Sequence, residues 1–129
     1  MAEPGTLQLQ EHIMKIIHYT DTEPRHFDSE AVKGVTGRVA IGKADGAENF
    51  CMRFFEIAKD GYSPRHSHAW EHEIIIFSGT GEVLCAENWI PISRGNVIFI
   101  AGNEDHQIRN SSDAPLVFAC MIPSGPPEL

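Results

Sequence analysis

Residues 61–83 read GYSPRHSHAWEHEIIIFSGTGEV, and most of the reading of this chain follows from them. The run His72–Phe77 is rich in β-branched side chains and is closed by Ser78-Gly79-Thr80-Gly81, which spells a strand ending in a turn. Just ahead of it stand His66, His68 and His72. In an extended chain, residues two apart project to the same face. His66 and His68 therefore point together. His72 shares their parity, whereas Glu71 and Glu73 do not. A bend between His68 and His72 would break strict alternation, so parity favours His72 over Glu73 as the third inward group without fixing it. Three neutral imidazoles on one face are a donor set for Fe, Ni, Cu or Zn. The competing reading is a histidine-rich turn with solvated rings.

Working outward, TGRVAIG (36–42), FCMRFFEIA (50–58), EVLCA (82–86), WIPIS (89–93), NVIFIA (96–101), HQIRN (106–110) and PLVFACMIP (115–123) read as further strands. Asp45-Gly46 marks a turn within 43–49, Lys59-Asp60-Gly61 a second, and Glu87-Asn88 a hairpin. KIIHYT (15–20) reads as an edge strand. About eight to ten strands at regular spacing, with no amphipathic helix, predict a closed or double-sheet all-β architecture. Residues 14–129 are expected to form one domain. Residues 1–13 are an N-terminal extension with no function assigned.

The chain has 129 residues, with 10 Lys+Arg against 18 Asp+Glu, a net charge of −8. That acidity argues against coating nucleic acid or an anionic membrane. A hydrophobic share of 42% suits a packed globule. The longest apolar run is too short to cross a membrane, and the first ten residues lack the pattern of a signal peptide, so a cytoplasmic location is expected. Cys51, Cys85 and Cys120 form no CxxC pair, which argues against a disulfide framework. No GxSxG, P-loop or strand-borne GxGxxG is present, so serine nucleophile chemistry, phosphoryl transfer and dinucleotide binding have no support.

The pattern Gly61-x4-His66-x-His68-x3-His72 followed by EIIIFSGTGEV resembles the first signature motif of the cupin superfamily, with the metal motifs spanning 61–81 and 93–110. SRGNVIFIAGNEDHQIRN (93–110) resembles the second motif, with its glycine at Gly95, its histidine at His106 and its asparagine at Asn110. The resemblance covers residues 30–123. It implies a cupin-type jelly-roll β-barrel, one metal inside it and commonly a homodimer. The usual motif carries glutamate where His72 stands, and Pro and Gly where Ala101 and Asn103 stand. HSHAWEHE is similar to a subgroup of single-domain cupins with four-histidine sites, several of which hold manganese. The ligands implied are thus His66, His68, His72 and His106, holding one divalent transition metal: Mn first, with Fe, Ni, Co, Cu or Zn as alternatives.

Four imidazoles would leave the ion its full positive charge, favouring anionic or enolisable substrates. An octahedral ion would keep two open positions, whereas tetrahedral Zn would be closed. Among other residues, Arg53 either points into the barrel toward an anionic substrate or snorkels outward. Cys120, on a strand that by resemblance returns past the site, either touches substrate or is a core cysteine. Phe55 and Phe118 fill the barrel, stack on a ligand, or do both. Trp70 is expected beside the ligand loop. Glu71 and Glu73 either orient the rings or face solvent. Asn110 is expected to fix the turn after His106, and Arg65, Arg94 and Arg109 either ring the barrel mouth or carry surface charge.

The leading functional expectation is a metal-dependent, dioxygenase-like oxygenase acting on a small organic molecule with O2. The alternatives are a non-redox isomerase or lyase on a sugar or keto acid, and a binder without turnover. No nucleic-acid or membrane partner is expected.

Overall fold

Arg53 faces Cys120, Cys120 faces Ile74, and His72 lies two residues before Ile74, so three adjacent strands carry one continuous inner row. The computed structural model that shows this describes residues 14–129; the N-terminal extension, 1–13, lies outside the described residues. Nine strands run in order as β1 (Arg25–Phe27), β2 (Lys33–Ile41), β3 (Phe50–Tyr62), β4 (His72–Ser78), β5 (Thr80–Cys85), β6 (Asn88–Ser93), β7 (Val97–Ile100), β8 (Ile108–Arg109) and β9 (Leu116–Pro123). All belong to one antiparallel sheet ordered β6-β5-β8-β3-β9-β4-β7, with β2 also on β3 and β1 on β2. The sheet curls until β4 meets β6 across the interior. This is the expected all-β jelly-roll barrel, and no α-helix occurs among the described residues.

Alternation builds the interior. Along β4, His72, Ile74 and Ile76 are buried while Glu73, Ile75 and Phe77 are exposed. A run of three isoleucines thus serves both faces. Ile57, Ile76, Leu116, Phe118 and Ile122 fill the core from three neighbouring strands. β9 is buried along almost its whole length because β3 and β4 flank it on both sides.

Three expectations need correction. KIIHYT is not an edge strand: residues 15–18 are irregular, Tyr19–Asp21 form a 3-10 turn, and Ile16 is 82% exposed. The edge strand of that region is Arg25–Phe27 instead. Lys59-Asp60-Gly61 does not end a strand, since β3 runs through it to Tyr62. Turn chemistry is absorbed there as a kink, with Asp60 at φ 63°. Its amide donates to the Asn110 carbonyl at 2.8 Å. The β5–β6 hairpin turns on Ala86-Glu87, both at positive φ, one residue earlier than Glu87-Asn88.

Asn110 fixes its turn as expected. It is 1% exposed, donates through Nδ2 to the carbonyls of Ile57 (2.9 Å) and Ala114 (2.8 Å), and accepts at Oδ1 from the Ser112 amide (2.9 Å) and hydroxyl (2.8 Å). Replacing it by Ala removes the donor to the buried Ile57 carbonyl and the acceptor that holds Ser112, a cost of roughly 2–3 kcal/mol. Urea unfolding of Asn110→Ala is expected to show that loss as a lower midpoint with an unchanged slope. An unchanged midpoint would contradict the role.

Candidate metal centre

Two segments far apart in sequence bring the histidines together. His66 and His106 form an antiparallel bridge, each amide donating to the other's carbonyl at 3.1 and 3.0 Å. His68 follows two residues after His66, and His72 opens β4 beside Ile100 of β7. Ring centroids lie 4.6 Å apart for His66 and His106, 4.9 Å for His66 and His68, 4.5 Å for His68 and His72, and 5.1 Å for His72 and His106. The donor atoms of His66, His68 and His106 all lie within 4.8 Å of one another. His72 adjoins this trio, with its Nε2 at 2.8 Å from His68 Nε2.

Backbone carbonyls set three of the tautomers. Nδ1 of His66 donates to the Pro64 carbonyl (2.9 Å), Nδ1 of His68 to that of Trp70 (3.1 Å), and Nδ1 of His106 to that of Glu104 (2.9 Å). A carbonyl only accepts, so in the neutral ring each Nδ1 carries the proton and each Nε2 keeps its lone pair. His72 differs, with Nδ1 at 2.9 Å from Cys120 Sγ and 3.3 Å from Arg53 Nη2. Trp70 stacks on His68 at 4.2 Å and 5°, which fixes that ring from the side.

Burial favours the neutral form of His68, His72 and His106. It pushes His72 down to about 3, with the Arg53 guanidinium and the other histidines adding to the effect. His68 and His106 are also lowered, chiefly by burial. The unfolded imidazole titrates near 6.5, so between about pH 6.5 and 3 the unfolded chain binds a proton that folded His72 refuses. Stability of the metal-free protein therefore rises with pH across that window and is lost on acidification. Thermal melts at pH 7.5 and 5 are expected to show a lower Tm at pH 5, with a smaller drop in His72→Gln. Equal drops in both proteins would contradict this.

A cavity of about 460 Å³ opens onto the rings, walled by Val35, Phe55, Ile57, Trp70, Ile74 and Phe118, and includes Arg53 and Cys120. Among the described residues no Asp or Glu lines it. Arg53 points inward and is 8% exposed, which settles its direction. Cys120 is both buried in the core and on the cavity wall, in contact with Arg53 and His72. Phe55 and Phe118 pair at 5.6 Å, filling the barrel beside the cavity. Glu71 and Glu73 are exposed and make no hydrogen bond to the rings. The ring-orienting groups are carbonyls of Pro64, Trp70 and Glu104, which no side-chain pattern could signal. Arg65 ties the two ligand segments together, donating to Asp105 and Glu87, each at 2.8 Å. Arg109 stays outside on Glu82 and the Trp89 ring, and Arg94 is exposed.

The donor set suits a divalent transition metal. It offers Nε2 lone pairs on His66, His68 and His106, with His72 Nε2 beside them, ready to join once its proton is released to solvent on metal binding. A 2.8 Å gap between two Nε2 atoms is what neighbouring ligands on one ion show at bond lengths of about 2.0–2.1 Å. The architecture and this cluster define a class: small jelly-roll barrels with an internal histidine cluster able to bind a metal ion. The Cupin domain family matches residues 53–122, and the chain belongs to that family. Among solved structures, the chain is similar to the polyketide cyclase RemF from Streptomyces resistomycificus. The identity is 30%, with 89% of this chain and 83% of that one covered, at a TM-score of 0.82. A predicted oxalate decarboxylase from Thermotoga maritima shares the fold at 22% identity, covering 84% of this chain and 98% of that one (TM-score 0.75). So does a sugar phosphate isomerase from Silicibacter pomeroyi at 16% identity, covering 87% and 77% (TM-score 0.73). No curated protein sequence gives a significant match. No helix among the described residues is long and apolar enough to cross a membrane.

Proposed function

We propose that the chain is a metal-dependent enzyme that holds one divalent ion on Nε2 of His66, His68, His72 and His106 and acts on a small enolisable carbonyl compound. One observation carries this reading: four imidazoles meet at the floor of a cavity whose lining, among the described residues, includes no Asp or Glu side chain. When bound, the ion would supply Lewis acidity to a substrate oxygen, with its charge uncancelled by the four imidazole ligands. The protein does the rest. Carbonyls at Pro64, Trp70 and Glu104 hold three rings in the tautomer that presents Nε2. Phe55, Ile74 and Phe118 exclude water, which strengthens every electrostatic contact at the floor. The similarity to a polyketide cyclase supports carbonyl chemistry without net oxidation. Manganese is the first metal to test, because an octahedral ion keeps positions free that a tetrahedral zinc site would close.

The apolar lining also favours a second reading, an oxygenase that admits O2 beside the substrate. Anaerobic assay separates the two. Metal-loaded protein is incubated with a panel of β-keto acids and aryl ketones, and consumption and α-proton exchange are followed by NMR. Turnover without O2, lost on chelation, is the expected result. Turnover that requires O2 would put the oxygenase first, and no turnover would leave a metal-containing binder.

Residues Ile75, Phe77, Val97 and Phe99 leave an apolar strip on the outer face of β4 and β7. A homodimer that covers this strip is part of the proposal. Light scattering is expected to give a dimer mass, and a monomer mass would contradict it.

A further inference from the structure

Arg53 is a buried cation. It is 8% exposed, and among the described residues no ion pair includes it. Burying an uncompensated charge costs several kcal/mol, so a retained one calls for a partner. Its hydrogen bonds are equally incomplete. A guanidinium has five N–H donors in a planar fork. Nη2 donates to Cys120 Sγ at 3.0 Å, a weak acceptor, and to His72 Nδ1 at a long 3.3 Å. Nη1 reaches the Glu128 carbonyl only at 3.5 Å, and Nε, fully buried, has no partner among the described residues. The nearby Glu128 carboxylate accepts instead from the Lys43 amide at 2.8 Å.

The surroundings narrow what the missing partner is. Among the described residues the cavity wall has no Asp or Glu, although the chain as a whole carries a net charge of −8. The guanidinium lies 4.9 Å from the centre of the Phe55 ring, and Phe118 stands 5.6 Å beyond. The ring pair holds the fork and offers a flat apolar wall. On its other side Nη2 is 3.3 Å from His72 Nδ1, so an anion held by Arg53 sits next to the histidine cluster.

We propose that Arg53 is the anchor for a substrate carboxylate, and that the cavity takes a flat, largely apolar organic acid, its ring system against Phe55 and Phe118. This deepens the enzyme reading by naming the substrate class, and it rests on that reading's assignment of the cavity as the substrate site. The anchor itself does not require the metal. A carboxylate bound here accepts from the fork in the bidentate manner suited to guanidinium. It removes the isolated charge and is held beside the ion-binding floor, where a carbonyl elsewhere on the same molecule can reach.

The test uses the full chain freed of metal by chelation, with 2-naphthoate and its neutral isostere 2-naphthamide as probes in calorimetric titrations. Wild type is expected to bind the acid at least about tenfold more tightly than the amide, the worth of one charge-assisted pair. Arg53→Met is expected to lose that preference while keeping the amide affinity within about twofold, which shows an intact cavity. Arg53→Lys, which keeps charge but not the fork, is expected to fall between them and serves if the methionine variant does not fold. Equal binding of acid and amide by wild type, binding of neither, or a preference that survives in both variants would overturn the assignment. Metal uptake by the same preparations is measured separately. A preserved acid preference in protein that takes up no metal would defeat the enzyme reading and leave the anchor standing.

Discussion

Replacing His72 by alanine is expected to weaken metal binding by more than about 100-fold while the barrel stays folded. Substitutions outside the ligand shell already cost about 10–100-fold in metalloproteins, and loss of a ligand exceeds that. His72 is the informative position because the tightest donor cluster contains only His66, His68 and His106. Its own Nε2 nonetheless lies 2.8 Å from that of His68. Competition titrations with a chromophoric chelator would compare wild type, His72→Ala and Glu73→Gln. The exposed Glu73 side chain touches no ring, so its variant should match wild type. Wild-type affinity in His72→Ala would reduce the centre to three histidines. Cys120→Ala tests the support behind it. The sulfur contacts His72 Nδ1 at 2.9 Å, and its loss is expected to cost about tenfold.

The second large effect concerns the turn that follows β4. Gly79 sits at φ +84°, and a Cβ there would lie 2.3 Å from the Pro115 carbonyl oxygen and 3.1 Å from Leu116 Cα. The obstruction is backbone at the start of β9, the most buried strand, and cannot swing aside. Gly95 has a similar φ of +90° but open space around its would-be Cβ. Gly95→Ala therefore carries only the left-handed backbone cost, about 1–2 kcal/mol. Gly79→Ala adds the clash, for a total above roughly 3 kcal/mol. Thermal melts are expected to show Gly79→Ala lowered by more than about 10 °C, and Gly95→Ala by much less. Equal shifts would mean that the approach to Pro115 is easily relaxed.

The ligand strand was readable because period-2 alternation is a property of the backbone. His66, His68 and His72 share parity, and His72 is indeed buried where Glu73 is exposed. His106 was accessible only through the family resemblance, since the bridge that brings it to His66 closes between distant segments and leaves no local pattern. Carbonyl groups that orient the rings belong to Pro64, Trp70 and Glu104, and any residue could supply them. Arg53 could have faced either way, because a long side chain can snorkel from an apolar strand. Only the register that sets it opposite Cys120 decides the matter. KIIHYT misleads for the opposite reason: its apolar residues look strand-like, yet Ile16 and Ile17 are exposed and pair with no strand among the described residues. Lys59-Asp60-Gly61 has turn residues, but flanking β2 and β9 hold β3 in register and the turn survives only as a kink.

Central to this account is an ion on the histidine cluster. The most direct test is elemental analysis of protein purified without chelator or affinity nickel, followed by titration with Mn, Fe(II), Co, Ni and Zn. One equivalent of a divalent transition metal per chain, bound or readily taken up, is the predicted result. A protein that holds none and takes up none at micromolar concentration would contradict the account.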